Sequence, residues 1–190
     1  AVLRRVLVRH AAGVLCALLL APLSLAQAAV RTQETLENDV KAAFLFNFTK
    51  FVDWPPTAFE APTDPLRVCA IADAVFIASL DRIIAGETVR GRALRRIVPD
   101  TSELPHCHLL YIGGRNRDRT EKLIAALGRA PVLTVGETSD FLTQGGTIAF
   151  VLENQRVRFD VNLRAAERAR LTISSKLLRV AREIQEQVRP

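Results

Sequence analysis

The side chains best suited to chemistry are concentrated in the run His106-Cys107-His108. Zinc prefers Cys and His ligands, and Cys69 could supply one more thiolate. In an extended strand, however, alternate side chains face opposite sides of the sheet, so both histidines would point away from Cys107. A disulfide between Cys69 and Cys107 would also leave no thiolate for a metal. We therefore predict that disulfide, and neither a metal nor a cofactor; the alternative is a pair of reduced, buried thiols.

A second candidate site is the turn Gly113-Gly114-Arg115-Asn116-Arg117-Asp118-Arg119, which follows a predicted strand and opens a predicted helix. Backbone N–H groups and the helix dipole at such a place favour a bound anion. Neither the dinucleotide-binding pattern G-x-G-x-x-G nor a P-loop pattern is present. The simpler interpretation is therefore a solvated basic turn.

The residues needed for catalysis are sparse. Neither the nucleophile elbow G-x-S-x-G nor the zinc-protease motif H-E-x-x-H occurs. A phosphate-accepting receiver domain needs acidic residues after its first and third strands. Asp73 follows the first, but Ile112-Gly113-Gly114 ends the third without a carboxylate. We therefore predict no catalytic residues and no enzyme activity; an enzyme that uses Asp73 or His108 is the alternative.

The N-terminal segment predicts export. Three arginines precede an apolar run over Ala11–Leu23, and Ala26-Gln27-Ala28 then presents small side chains at a signal-peptidase cut. The run is shorter than the roughly 20 residues that a membrane-spanning helix needs, although a retained anchor is the alternative. We predict a signal peptide over residues 1–28 and a periplasmic location.

Removal of residues 1–28 lowers both the net charge and the number of cysteines. Three of the 26 basic residues lie in this segment, so the formal net charge falls from +6 to +3. The remaining charges are interspersed, and an exported protein seldom meets nucleic acid, so we expect no nucleic-acid partner. Of the three cysteines only Cys69 and Cys107 remain, and an even pair in an oxidising compartment favours a disulfide.

Strand and helix signals alternate through the rest of the chain, which implies a mostly parallel sheet with helices on both faces, of the flavodoxin or receiver type. The last two strands lie close together, which indicates an antiparallel C-terminal hairpin. We divide the chain into a signal peptide (1–28), a lead-in segment (29–37) and one α/β domain (38–190). The predicted strands are 66–72, 94–98, 107–112, 132–135, 147–152 and 157–161, and the predicted helices are 34–51, 75–84, 117–127 and a tail over 165–188 with a break near 171–174.

The first predicted helix is the most aromatic part of the chain. Phe46 lies off its apolar stripe, and Trp54 lies at a Pro-rich exit, so both are candidates for an exposed contact with a partner. Burial in the core is the alternative for both side chains. The stripe, at helical spacing, consists of Leu36, Val40, Ala43, Phe44, Phe48 and Phe51.

The segment from Val40 to Pro55, VKAAFLFNFTKFVDWP, closely resembles the opening signature of the YfiR-like family of periplasmic proteins. The resemblance covers nearly all of residues 38–182. Later landmarks agree in order, namely Cys69, Cys107–Ile112, Val132–Val135, Gly145–Ile148, Val157–Leu163 and Leu171–Leu178.

The resemblance implies an α/β periplasmic repressor that holds an inner-membrane diguanylate cyclase inactive, and thereby lowers cyclic-di-GMP signalling and regulates biofilm formation. It also implies an outer-membrane lipoprotein of the YfiB type that sequesters the repressor, and a homodimer. The family's namesake carries two disulfides. Cys69 and Cys107 match one of them, but this chain has no second pair near Gln144–Val151, which argues against redox switching through a second bridge.

The resemblance further implies contact with the periplasmic domain of a membrane partner. We expect the exposed side of the first helix and the C-terminal segment to make that contact. Family members also occur beside sensor kinases and outer-membrane receptors, so a small-ligand sensor that works with such a protein is the alternative function. The candidate contact residues are Phe46, Lys50, Trp54, Arg164, Arg168 and Lys176.

Overall fold

A computed structural model describes residues 33–114 and 117–186 of the chain. The chain divides into two compact units, Ala1–Glu37 and Asn38–Pro190. In the first unit only residues 33–37 are described, and they are helical. The predicted signal peptide (1–28) and the first residues of the lead-in segment lie outside the described residues.

The second unit is built from ten strands and five helices among the described residues. Helix α1 covers residues 38–51 of this unit. Two 3-10 helices, Pro56–Ala58 and Thr101–His106, lie between the regular elements. The strands are β1 (Val52–Asp53), β2 (Leu66–Ile71), β3 (Thr88–Val89), β4 (Arg92–Ile97), β5 (Leu109–Ile112), β6 (Leu133–Gly136), β7 (Ile148–Glu153), β8 (Arg156–Asn162), β9 (Thr172–Ile173) and β10 (Glu183–Gln185), and the other helices are α2 (Ala74–Ile84), α3 (Arg117–Leu127), α4 (Leu163–Arg168) and α5 (Ser175–Leu178).

Eight strands form one sheet in the order β10-β8-β7-β6-β5-β2-β4-β3. The five central strands, from β4 to β7, are parallel to one another, and β7 and β8 form the predicted antiparallel hairpin. The parallel strands follow the flavodoxin-like order, with the first strand beside both the second and the third. Strands β5 and β6 are buried along their whole length, as expected for strands covered on both faces. The predicted fold class is therefore confirmed.

Each face of the sheet carries its own hydrophobic core, because successive side chains of a strand point to opposite faces. Leu109 and Tyr111 of β5 join a core with α1 and α2. Leu110 and Ile112 of the same strand join a second core with α3 and the 3-10 helix Thr101–His106. The helices α2 and α3, which follow β2 and β5 respectively, thus lie on opposite faces.

The predicted helical tail over 165–188 is wrong. Asn162 caps the start of helix α4, because its side chain accepts a hydrogen bond from the Ala165 N–H, and the helix ends before Arg170, which has a positive φ of 57°. The chain then forms β9, the short helix α5 and β10, which pairs with β8. The buried residues Leu171, Ile173 and Leu177 reach the core from different short elements and not from one continuous helix face, which local periodicity does not reveal.

The predicted apolar stripe of the first helix is displaced from the stripe that is buried. Leu36 and Val40 are exposed, and Phe44 is only half-buried. The buried positions include three polar residues, so a pattern based on hydrophobicity alone selects a neighbouring line along the helix. The buried residues are Asn38, Lys41, Ala42, Leu45, Phe48 and Thr49.

Candidate functional site

The predicted disulfide is present between Cys69 of β2 and Cys107, just before β5. The two Cα atoms are 5.9 Å apart, and both residues are buried. The bond joins β2 to the segment just before β5, its direct neighbour in the sheet, where Cys69 lies opposite Leu110. Neither sulfur is then a thiolate that could bind zinc. Within residues 33–114 and 117–186, no group of three or more His, Cys, Asp or Glu side chains could hold a metal ion.

The geometric reason for doubting a zinc site was wrong, although the disulfide was predicted correctly. Cys107 is not part of a strand, because His106 ends a 3-10 helix that contains Pro105, and β5 begins only at Leu109. His106 is exposed, whereas His108 is almost completely buried. The two histidines therefore occupy different environments and do not form a common site.

His108 is a structural residue at the amino ends of β2 and β5. Its Nδ1 accepts a hydrogen bond from the Arg67 N–H at 3.0 Å, so Nε2 carries the proton and donates it to the Ala58 carbonyl oxygen at 2.9 Å. Burial lowers the pKa of His108 to about 4, with a smaller lowering from Arg67 and Arg92. A neutral imidazole with both nitrogens engaged is unavailable as a catalytic base.

Three further side chains enclose His108, and we call the four residues Trp54, Phe59, Arg92 and His108 the aromatic clamp. The Phe59 ring stacks on the imidazole with centroids 4.3 Å apart, and the Trp54 Nε1 donates to the His108 carbonyl oxygen at 3.0 Å. The Arg92 guanidinium lies 3.6 Å from the Phe59 ring centroid. The clamp holds the segment after α1 against the sheet. Trp54, predicted as a partner contact, is thus half-buried in a structural cluster.

Phe46 and Lys50 are brought together on the outer side of α1. They are four residues apart and therefore share one helix face, and the Lys50 Nζ lies 3.7 Å from the Phe46 ring centroid. Lys50 is exposed, and Phe46 is half-buried against the core. Of the predicted aromatic contacts, Phe46 is the one that lies beside an exposed cation.

The C-terminal candidates are all exposed. Arg164 donates from Nε to the Glu186 carbonyl oxygen at 2.7 Å. Arg168, at the end of α4, borders a surface groove of about 430 Å³ together with Arg129 and Arg170. Lys176 belongs to α5.

The pairing of β1 with β9 links this segment to the end of α1. Val52 lies opposite Ile173, and the Ser174 N–H donates to the Phe51 carbonyl oxygen at 2.9 Å. Helix α5 therefore begins beside the C-terminal end of α1. The exposed candidates of α1 and of α5 belong to neighbouring elements, which sequence spacing alone could not show.

The residues considered for catalysis have structural roles. Asp73 caps α2, since its Oδ1 accepts a hydrogen bond from the Phe76 N–H at 2.8 Å.

A polar group lies at the carboxyl ends of β5 and β6. There Glu137 accepts a hydrogen bond from the Tyr111 hydroxyl and forms an ion pair of 2.9 Å with Lys41. Sequence reasoning missed this buried group. The available signal was a lysine among the apolar residues of α1.

In the described part of the chain, no helix is both long enough and apolar enough to cross a membrane.

In a comparison with known families, the family model described as DUF4154, YfiR/HmsC-like, matches residues 38–182. Comparison with curated proteins gives no match.

Among solved structures, the chain is similar to a conserved domain protein from Vibrio cholerae O1 biovar El Tor strain N16961, at 13% identity and a TM-score of 0.47. It is also similar to an ABC domain in complex with L-Trp from Streptococcus pneumoniae, at 10% identity and a TM-score of 0.43. Each comparison covers 63% of this chain and 55% of the other chain, so this chain spans little more than half the length of either. At these values neither structure bears on function.

Proposed function

The chain belongs to the YfiR/HmsC-like family, whose members are periplasmic regulators of cyclic-di-GMP signalling, and we propose that it represses an inner-membrane diguanylate cyclase by direct contact. The observation that carries the proposal is the family match, which spans nearly the whole second unit of the chain. The family is a regulatory one, and the residues best placed for catalysis here are engaged in caps, hydrogen bonds and a disulfide.

Export is part of the proposal. Residues 1–28 would act as a cleaved signal peptide and deliver the domain to the periplasm. The disulfide between Cys69 and Cys107 supports this location, because disulfides persist in oxidising compartments and are rare in the cytosol.

Repression by contact requires a difference in affinity between two states of the cyclase. A regulator that bound the active and inactive states equally well would shift nothing. To move a cyclase from almost fully active to almost fully inactive, it must bind the inactive state about 10⁴-fold more tightly. The regulator therefore needs a surface that fits the periplasmic domain of the cyclase in one state only.

The exposed cationic side chains around the ends of α1 and α5, and along α4, support a contact surface there. Lys50 lies over Phe46, and Lys176 lies on the helix that begins beside the end of α1. Arg164 and Arg168 are exposed on α4. An aromatic ring beside cations suits a partner surface with acidic and apolar groups. An outer-membrane lipoprotein of the YfiB type that relieved repression would have to compete for this surface.

The test compares cyclic-di-GMP levels in cells that lack the protein and in cells complemented with variants. We expect deletion to raise cyclic-di-GMP, the native protein to restore the low level, and the double variant Arg164→Glu/Arg168→Glu to fail. Arg95→Glu is the matched control, because Arg95 is exposed on β4, near the opposite edge of the sheet. If the cyclase co-purifies with the tagged native protein but not with the double variant, the loss of repression is explained by the loss of contact between the two proteins.

Two outcomes contradict the proposal. Unchanged cyclic-di-GMP on deletion would remove the cyclase from consideration. Full repression by the double variant would show that α4 is not the contact surface. If a sensor kinase were retained in place of a cyclase, the small-ligand sensor would become the better interpretation.

A further inference from the structure

A surface groove of about 430 Å³ lies at the carboxyl ends of α3 and α4. Its lining consists of Arg129, which follows α3, and of Glu167, Arg168 and Arg170 at the end of α4. Gly145 leaves room beside Arg168, because a Cβ atom on Gly145 would lie 3.5 Å from Arg168 Nη2 and 3.5 Å from a side chain of α3. Three guanidinium groups from two separate parts of the chain thus surround one groove.

The positive charge of the groove is only partly neutralised. Within residues 33–114 and 117–186, none of the three guanidinium groups forms a hydrogen bond or an ion pair. The carboxylate of Glu167 offsets one positive charge, and the carboxyl end of each helix carries about half a negative charge. The carboxylate and the two helix ends together offset about two of the three positive charges. The groove therefore keeps an excess of about one positive charge on this count.

Arg170 occupies a position that usually takes glycine. Helix α4 ends with two hydrogen bonds typical of a left-handed C-terminal cap. The Arg170 N–H donates to the Glu167 carbonyl oxygen, and the Leu171 N–H donates to the Ala166 carbonyl oxygen, each at 2.9 Å. The cap gives Arg170 a φ of 57°, a conformation that glycine adopts without steric cost.

The backbone therefore gives no reason for an arginine at this position. The other described non-glycine residues with a positive φ lie in the β3–β4 and β7–β8 hairpin turns, which require that conformation. Arg170 is not in a hairpin, and its side chain lines the groove. Residues in sparsely populated backbone conformations cluster at binding sites, where the side chain has a role that offsets the strain.

We propose that this groove binds a phosphate group, either the free ion or a phosphate monoester of a small molecule. Guanidinium groups donate paired hydrogen bonds to oxyanions, and a phosphate monoester presents three terminal oxygens to the three guanidinium groups. A carboxylate and a phosphodiester each present only two such oxygens and carry one negative charge. The inference does not depend on the proposed contact with a cyclase, although Arg168 belongs to both surfaces.

The test is an NMR titration of the isotope-labelled, processed protein with its disulfide intact, at low ionic strength and about pH 8, where a phosphate monoester is a dianion. The probes are inorganic phosphate and methyl phosphate, with dimethyl phosphate and acetate as singly charged comparisons. We expect at least one of the two phosphates to cause saturable shifts in the amide signals of residues 128–130 and 167–171. The expected Kd is about 1 mM, because exposed charges each contribute little in water, and the singly charged anions should bind about tenfold more weakly.

Substitution of the arginines locates the site. Arg129→Glu should weaken phosphate binding about tenfold, and Arg170→Gly about fivefold. Arg170→Gly should keep or raise the melting temperature, because glycine suits the left-handed conformation. Arg90→Gly is the matched control, since Arg90 is exposed in the β3–β4 turn with a φ of 53°. This variant loses the same charge from a similar backbone conformation and should bind phosphate like the native protein.

Glu167→Gln should have the opposite effect on binding. It removes the carboxylate that repels the anion, so we expect phosphate to bind about threefold more tightly. Three results would each overturn the proposal: no saturable binding of either phosphate, equal binding of all four anions, or phosphate binding that Arg129→Glu and Arg170→Gly leave unchanged. None of these results depends on a membrane partner.

Discussion

The two ends of β2 and β5 are built in opposite ways. At the amino ends, the aromatic clamp fills the space, and both nitrogens of His108 have partners within the protein. At the carboxyl ends, the connections leave on opposite faces, and a crevice of about 550 Å³ remains between Ile71 of β2 and the charged residues Asp118, Arg119 and Lys122 of α3. The same two strands thus have a closed end, filled by side chains, and an open end. We infer that substitutions at the amino end alter stability more than substitutions at the carboxyl end do.

The largest expected effect comes from removal of the disulfide. The double variant Cys69→Ala/Cys107→Ala opens a loop whose ends are 38 residues apart. The chain-entropy model predicts a loss of about 4 kcal/mol in the free energy of unfolding. Denaturant unfolding of the native and variant proteins measures it. The native protein in reductant is the matched control and should lose a similar amount; a loss below about 1 kcal/mol in both would show that the native fold does not depend on the bond.

Acidification should have the next largest effect, because it lowers the stability contributed by the aromatic clamp at the amino ends of β2 and β5. The pKa of His108 is about 4 in the folded protein and 6.5 for an imidazole exposed to solvent, as in the unfolded chain, so the native state favours the neutral ring. Its contribution is complete above pH 6.5, falls as the pH drops, and is lost below about pH 4. At about 1.4 kcal/mol per pKa unit, the contribution is at most about 3.5 kcal/mol.

The measurement is the free energy of unfolding as a function of pH for His108→Gln and for His106→Gln. The difference between the native protein and His108→Gln should shrink between pH 6.5 and 4. His106 is exposed outside the clamp, so its variant should keep the native profile. Parallel profiles for native protein and His108→Gln would show that His108 does not carry the pH dependence.

Phe59→Ala should have a smaller effect on the closed end. Phe59 is half-buried, so we expect a loss of about 2 kcal/mol, less than for a fully buried phenylalanine. The variant also exposes the imidazole face, and NMR titration should show the His108 pKa rising towards its ordinary value. Phe46→Ala is a close control, because Phe46 is half-buried with a cation over its ring but lies outside the clamp. An equal change of the His108 pKa in both variants would contradict a specific role for the stack.

The smallest expected effect is at the carboxyl end of β2. Asp73→Ala removes the cap of α2 and should cost about 1 kcal/mol, whereas Asp73→Ser keeps a capping oxygen and should cost less. Thermal unfolding measures both changes. If Asp73 has only this role, Asp73→Ser should repress cyclic-di-GMP like the native protein. A loss of repression with native stability would give the carboxylate a chemical function.

The parallel sheet, the hairpin and the disulfide could be predicted because each has a local or compositional signal. Continuous apolar runs indicate β5 and β6. Two cysteines in a chain with a predicted export signal indicate a disulfide between them. The end of the chain could not be predicted. Strand β9 has two residues and exists because β1 lies beside it, so nothing in its own sequence identifies it.

The candidate sites were less predictable than the fold. The turn before α3 was noted as a candidate anion site, but the crevice at the first turns of α3 is also lined by Ile71 and Leu104, far away in the sequence. Trp54 looked like an exposed anchor because its partner, His108, lies 54 residues further along the chain. Both features depend on how the sheet brings distant segments together.

The order of strands also limits the ways in which another protein can attach. The two outermost strands of the large sheet, β3 and β10, contain only two and three residues. Short edge strands offer few unpaired backbone groups to a strand from another chain, and natural proteins use them to avoid edge-to-edge aggregation. Recognition by strand addition is therefore disfavoured at both outermost strands. A partner that docks at these two strands would have to recognise side chains, and so single substitutions there should be enough to separate one partner from another.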